Sequence, residues 1–196
     1  GKMEKAYGLL PALFEEFYKL SGRNYDFVET YGDDDADSTL VILNAAGPAS
    51  KNAIEVLQEE GHKVKLVIPM VLRPWPEKEI VQSIPEKSTL VVAERVSQYG
   101  AGNYLSNEIG ASLQRYGKIN RILSRVYGIG GLTFTSEDSI NLLKLGLSHP
   151  KDDSLSPKEY YGAWPGNPNY KPTQTLIPLT TEECTLNAGT DKIDLR

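Results

Sequence analysis

Between Ser38 and Pro76 the chain reads as one strand–helix–strand unit that ends at a stiff corner, Arg73-Pro74-Trp75-Pro76. Thr39-Leu40-Val41-Ile42-Leu43 is an unbroken apolar run, the mark of a strand covered on both faces. Asn44 to Ser50 is small and turn-rich. Lys51 to Glu60 then carries Ala53, Ile54, Val56 and Leu57 at helical spacing, and Gly61 stands where a helix end commonly needs a left-handed residue. Val64-Lys65-Leu66-Val67-Ile68 is a second strand, and Pro69 and Pro74 bar a helix from starting directly behind it. Parallel strands joined through a helix need a crossover, so the unit implies an α/β, three-layer, mostly parallel open sheet. The corner is the part that sheet packing alone does not require.

Composition sets the outer limits. With 196 residues, 40% hydrophobic and 24% charged, the chain suits a soluble domain of ordinary size plus an appendage. The formal net charge is −5, and Lys and Arg form no stripe, which argues against a nucleic-acid partner. No apolar run approaches the roughly 20 residues a membrane span needs, and no secretory signal pattern opens the chain. Cys184 is the only cysteine, so no internal disulfide and no cysteine-ligated cluster can form within the chain. That usage is compatible with a cytoplasmic location. The opening Gly1-Lys2-Met3 lacks an initiating methionine, as an excised piece or a processed subunit would.

Three stretches differ in texture. Residues 1–37 form a lead-in: Leu9, Leu13, Phe14, Phe17 and Leu20 make one helical stripe, and Pro11 predicts a helix beginning near Leu10. Phe27 to Tyr31 is a short strand, followed by Asp33, Asp34, Asp35 and Asp37 in a solvated turn whose spacing does not match a calcium loop. Residues 38–146 are the core. Beyond the corner come a helix with Ile80, Val81 and Ile84 inward, then a strand Thr89 to Ala93 ending in the charges Glu94-Arg95. A helix from Leu105 to Tyr116 presents Leu105, Ile109 and Leu113, and Gly117 closes it. A strand over Asn120 to Val126 follows, then a last helix capped by Thr135 or Ser136. Residues 147–196 are punctuated by six prolines and studded with Tyr160, Tyr161, Trp164 and Tyr170. Proline forbids regular structure while the aromatics want burial, so this stretch is expected to be an extended, proline-rich C-terminal arm lying across a surface.

Little autonomous chemistry can be read from the residues. Gly128-Ile129-Gly130-Gly131-Leu132-Thr133 begins like a dinucleotide loop, but Thr133 holds the third glycine position and the run lies far from the first βα turn. A tight turn fits it better. Asn44 to Lys51 lacks the Gly-Lys-Ser/Thr ending of a phosphate loop, which leaves a small-residue turn bringing helix close to strand. His62 and His149 have no spaced partners for a metal, and no serine sits in a nucleophile elbow. There remain Arg73, pre-ordered by stiff backbone for a carboxylate or phosphate, and Trp75, a rigid apolar plate between two prolines. Arg73, Pro74, Trp75, Glu94, Arg95, Gly128, Gly130 and Gly131 are therefore the candidate interface or structural residues. In the plainer alternative, Trp75 packs in the local core and Arg73 pairs with Glu94.

Taken in order, these motifs resemble a known family. The strand–turn–helix–Glu-Gly–strand run, the Arg73 corner after Pro69-Met70-Val71-Leu72, the strand ending Glu94-Arg95 and Tyr127-Gly128-Ile129-Gly130-Gly131-Leu132-Thr133-Phe134-Thr135 are similar to the 2-oxoacid:ferredoxin oxidoreductases. The likeness is to their α-subunit domain resembling the transketolase C-terminal domain, and it covers roughly Ala12 to Leu145. Trp75 stands where that family usually has Phe, and Glu94 where it often has Asp. The resemblance implies a part of an enzyme that oxidatively decarboxylates a 2-oxo acid such as pyruvate with coenzyme A. Such an enzyme uses thiamine diphosphate, magnesium and 4Fe-4S clusters and passes electrons to ferredoxin. In that family the cofactors sit on other domains, so this chain is expected to bind none alone, to have no catalytic residue and to supply architecture and subunit contacts. A transketolase-like domain of another thiamine enzyme, or a free-standing interaction module, stays open.

Overall fold

The apolar runs become strands because helices cover them from both sides. The protein, as a computed structural model, describes residues 1–98, 101–129, 132–148 and 158–161. Its elements run α1 (Lys2–Ser21), β1 (Val28–Gly32), β2 (Ser38–Ile42), α2 (Ala46–Ala49), α3 (Lys51–Glu59), β3 (Val64–Pro69) and α4 (Glu77–Ser83). After these come β4 (Thr89–Glu94), α5 (Tyr104–Arg115), β5 (Ile122–Tyr127), α6 (Ser136–Ser148) and β6 (Lys158–Tyr161). The sheet order is β1-β3-β2-β4-β5-β6. Every pair is parallel except β1 with β3, where Thr30 faces Val67.

Strand parity divides the interior. Leu40, Ile42, Leu66, Ile68, Val91, Ala93 and Leu123 pack with Ala53, Ile54 and Leu57 of α3 and Leu142 and Leu143 of α6. Val41, Val67, Leu90 and Val92 pack on the opposite face with Ile80, Val81 and Ile84, and with Leu105, Ile109 and Leu113 of α5. Alternate residues of fully buried strands thus feed two cores, giving the expected three layers. Where α2 crosses β3, Gly47 is obligatory, since a Cβ there would lie 2.7 Å from Ile68 Cδ1. The small-residue turn does bring helix onto strand, though its residues 46–49 coil into a short helix.

Two expectations need correction. The first helix begins at Lys2, not near Leu10, and runs through Pro11. Proline at that position costs the single backbone bond to the Tyr7 carbonyl, which an otherwise good helix absorbs. It buries no residue fully: Tyr7 stacks on Phe27 at 4.7 Å and Phe14 meets it edge-on at 5.6 Å, while Leu9, Leu13 and Leu20 stay exposed. The other correction concerns the stretch beyond residue 146. Lys158–Tyr161 is a regular strand, parallel to β5, because the nearest prolines flank it and do not interrupt it. Tyr161 is buried in the first core, as the aromatic content of that stretch predicts. The rest of the expected arm lies outside the described residues.

The acidic connector is more than a solvated turn. Asp33 Oδ2 accepts from the Val64 amide at 3.1 Å and from Gln58 at 2.9 Å. Asp34 pairs with Lys65 at 2.6 Å and Asp35 with Lys63. The connector is pinned to the start of β3.

Candidate functional site

The corner after β3 closes down along α5 like a zip. Arg73 donates from Nη2 to Glu108 Oε2 at 2.9 Å, and its guanidinium lies 5.2 Å from the centre of the Tyr104 ring. Trp75 Nε1 donates to Ser112 Oγ at 2.9 Å, and Arg115 pairs with Glu77. Tyr104, Glu108 and Ser112 recur every four residues, one place ahead of the buried stripe Leu105, Ile109 and Leu113. They therefore form the neighbouring row of the same helix, the row that looks toward the corner. The Arg73–Pro74 bond is cis. Arg73 thus pairs with Glu108 and not with Glu94, because Glu94 is committed elsewhere. Trp75 is half-buried against the second core, so the plate is anchored along one side.

Glu94 ends β4 with only 4% of its surface exposed. Its two carboxylate oxygens accept the amides of Leu105 at 2.9 Å and Ser106 at 3.1 Å, the orphan donors of the first turn of α5. Asn103, at the N-cap, makes no side-chain cap; its amide instead donates to Ser124 Oγ on β5 at 2.9 Å. The next residue, Arg95, reaches sideways and donates to the Gly128 carbonyl at 3.1 Å. Gly128 has φ +65°, a conformation that favours glycine, and an added Cβ would sit 3.0 Å from Arg95 Nε and press on that side chain. Gly130 and Gly131 lie outside the described residues. Tyr127, just before, meets the Phe134 ring in a tilted contact at 4.5 Å, and burial pushes its phenol up while the nearby Arg95 charge opposes that.

One surface joins these parts at the carboxyl edge of the parallel strands. Met70, Leu72, Val96, Tyr104 and Ile129 are each between 38% and 44% exposed, and the Arg73 side chain is 43% exposed among them. Edges of this kind are where open α/β sheets present their contacts. The arrangement offers a rigid cation, an aromatic ring and apolar rims. Sequence reasoning missed Tyr104, Glu108 and Ser112. Their spacing of four was legible, but only the adjacent apolar row drew the eye.

Comparison with known proteins agrees with the motif order. Residues 36–139 match the family description "Pyruvate:ferredoxin oxidoreductase core domain II". Pyruvate synthase subunit PorA of Thermotoga maritima is 30% identical over 129 residues, 66% of this chain and 33% of that protein. Pyruvate dehydrogenase [NADP(+)] of Cryptosporidium parvum is 25% identical over 199 residues, covering 92% of this chain but 10% of its own length. A 2-oxoglutarate:ferredoxin oxidoreductase from Magnetococcus marinus superimposes with a TM-score of 0.46 at 24% identity, over 63% of this chain and 20% of that one. The chain thus spans about a third or less of these relatives. Its own place is nevertheless defined by the matched half and more: it belongs to the pyruvate:ferredoxin oxidoreductase core domain II family.

Proposed function

We propose that this chain is a non-catalytic assembly domain of a 2-oxoacid:ferredoxin oxidoreductase. The observation that carries the reading is the set of half-exposed residues at the carboxyl edge, Arg73 with Met70, Leu72, Val96, Tyr104 and Ile129, in a member of this family. A second face supports it. Helix α1 leaves Met3, Leu9, Leu13, Phe17 and Leu20 between 43% and 80% exposed in one stripe, and a contiguous apolar stripe of this kind is a common contact surface. Companion domains or subunits of the oxidoreductase are the occupants that fit both.

The donor set argues for the division of labour. A 4Fe-4S cluster takes four cysteine ligands, and this sequence has one. Among the described residues no three His, Cys, Asp or Glu side chains stand together to hold a metal ion. In this reading thiamine diphosphate, magnesium, the clusters and coenzyme A are held by partner domains, where a 2-oxo acid such as pyruvate loses carbon dioxide and its acyl group passes to coenzyme A. The electrons leave to ferredoxin.

Co-expression with thiamine-binding and cluster-bearing subunits of such an enzyme tests this. A stoichiometric complex that turns over 2-oxo acids, with an inert isolated chain, is the expected result. Turnover by the purified chain alone would end the proposal. One observation favours a second acceptor: the Cryptosporidium relative aligns over 92% of the chain, a span that takes in much of the stretch beyond residue 149, and its name specifies NADP(+). Assay of the complex with ferredoxin and with NADP(+) in parallel separates the two.

A further inference from the structure

The carboxylate of Asp138 joins three pieces of chain. It is 8% exposed. Oδ2 accepts from the Thr135 amide at 2.6 Å and the Thr135 hydroxyl at 2.8 Å, which caps α6 and holds the end of the connection arriving from β5. Oδ1 accepts from the Tyr161 hydroxyl at 2.9 Å, which belongs to β6. Asn141 stands beside the same hydroxyl. The ring of Tyr161 is in the first core, and in the sheet register Tyr161 lies opposite Tyr127. Tyr127 in turn meets the Phe134 ring in a tilted contact, one residue before Thr135.

We infer that β6 is a strap whose docking sets the conformation of Phe134 and Thr135, where the chain enters α6. Tyr161 is its buckle. The connection is held at its start by Arg95 on the Gly128 carbonyl and at its end by Thr135 on Asp138. Only the second hold shares its acceptor group with β6. When β6 lifts, Oδ1 loses the Tyr161 donor and the side of Tyr127 is uncovered, so the ring contact with Phe134 and the cap at Thr135 loosen together. A partly satisfied buried carboxylate is the costly state, which is what couples the two hydrogen bonds. Ile129 of the carboxyl-edge face lies in this connection. The consequence for assembly, that the face is complete only with β6 in place, rests on the reading under Proposed function; the strap itself does not.

Hydrogen exchange on the full chain tests the strap. In Tyr161→Phe the ring and the strand remain but the donor is gone, and the Thr135 amide should exchange about tenfold faster. Tyr161→Ala also empties the core position, and should speed Thr135, Phe134 and the β5 amides that pair with β6. Amides of β2 and β3 serve as the internal reference and should not change in Tyr161→Phe. If Tyr161→Ala unfolds the chain, Tyr161→Phe decides alone. An unchanged Thr135 amide in that variant overturns the inference. Co-purification of the same variants with partner subunits reads the assembly proposal separately, so the two fail independently.

Discussion

Glu94 illustrates how one residue serves two elements. It is a strand residue by position and a helix cap by action, holding the amides of Leu105 and Ser106 from across a loop. Replacing it by Gln keeps the size but removes the charge and one acceptor oxygen, leaving one buried amide without its bond. We expect Glu94→Gln to cost about 2 kcal/mol in urea unfolding, and a change under about 0.5 kcal/mol would show that the cap is dispensable. Trp75 has a more limited role. Its indole N–H bonds Ser112 and one side of the ring packs on the second core. Trp75→Phe should lose about 1 kcal/mol for the hydrogen bond, and Trp75→Ala about 3 kcal/mol, the low end for a large aromatic because the site is half-open. Unchanged unfolding in both would remove Trp75 from the fold and leave it only a contact residue. The charges at Arg73, Glu94 and Arg95 were legible as a cluster because they fall at the ends of strands. Their partners were not. Glu108, Gly128 and the amides of Leu105 and Ser106 are distant in sequence, and pairing at that range depends on register, which a single sequence does not encode locally.

Among elements, legibility followed burial. β2, β3 and β4 are buried at every position, so continuous apolar runs announced them. β6 has four residues and stands at the sheet edge among prolines, where no periodic signal can build up. The α1 pattern was legible, but its start was misjudged by treating Pro11 as a boundary instead of one lost bond. Its seam was misjudged as well. The stripe divides, with Tyr7 and Phe14 toward Phe27 and Leu9, Leu13 and Leu20 toward solvent. A helix draws most of its stability from an apolar face that is packed, and the open half is the face proposed above for partner domains. Leu13→Glu should therefore leave isolated stability within about 0.5 kcal/mol, as at other exposed sites, and weaken binding to partner subunits at least tenfold in titration calorimetry. A loss of stability in the isolated chain with intact binding would mean that the exposed half already packs within it. Phe27→Ala is the contrasting change, since Phe27 is 5% exposed beneath α1; exchange across α1 should rise while the amides of β4 keep their protection.

At the scale of the whole molecule, the connector from β1 to β2 is where charge holds topology. The antiparallel β1 must turn back to feed the central strand β2, and Asp33, Asp34 and Asp35 fasten that turn to Val64, Lys65 and Lys63 of the neighbouring strand β3 and its approach. The hydrogen bond from Lys65 holds the Asp34 carboxyl below the ordinary aspartate value of 3.8, and that from Lys63 does the same for Asp35. The hydrogen bond to Asp35 raises Lys63 above its ordinary 10.5. Depressed carboxylates contribute stability that is complete above their unfolded values and is lost as pH falls through the folded ones. The raised lysine contributes below its unfolded value and is lost as pH rises through the folded one. The connector is therefore at full strength across neutral pH, and its acid limb opens below about pH 4. The two pairs differ in one respect that decides their weight. Lys63 keeps 57% of its side chain exposed, so water replaces Asp35 readily. Lys65 keeps 6%, and without Asp34 its ammonium is left buried without this ion-pair partner. Asp34→Asn should lower the melting temperature at pH 7 clearly more than Asp35→Asn and should flatten the acid limb below about pH 4, both read by calorimetry over a pH series. Asp34 itself keeps 97% of its side chain exposed, so added salt should weaken both effects, because screening acts on exposed charges. Equal effects of the two substitutions would mean that the burial of Lys65 does not govern how the connector holds the sheet.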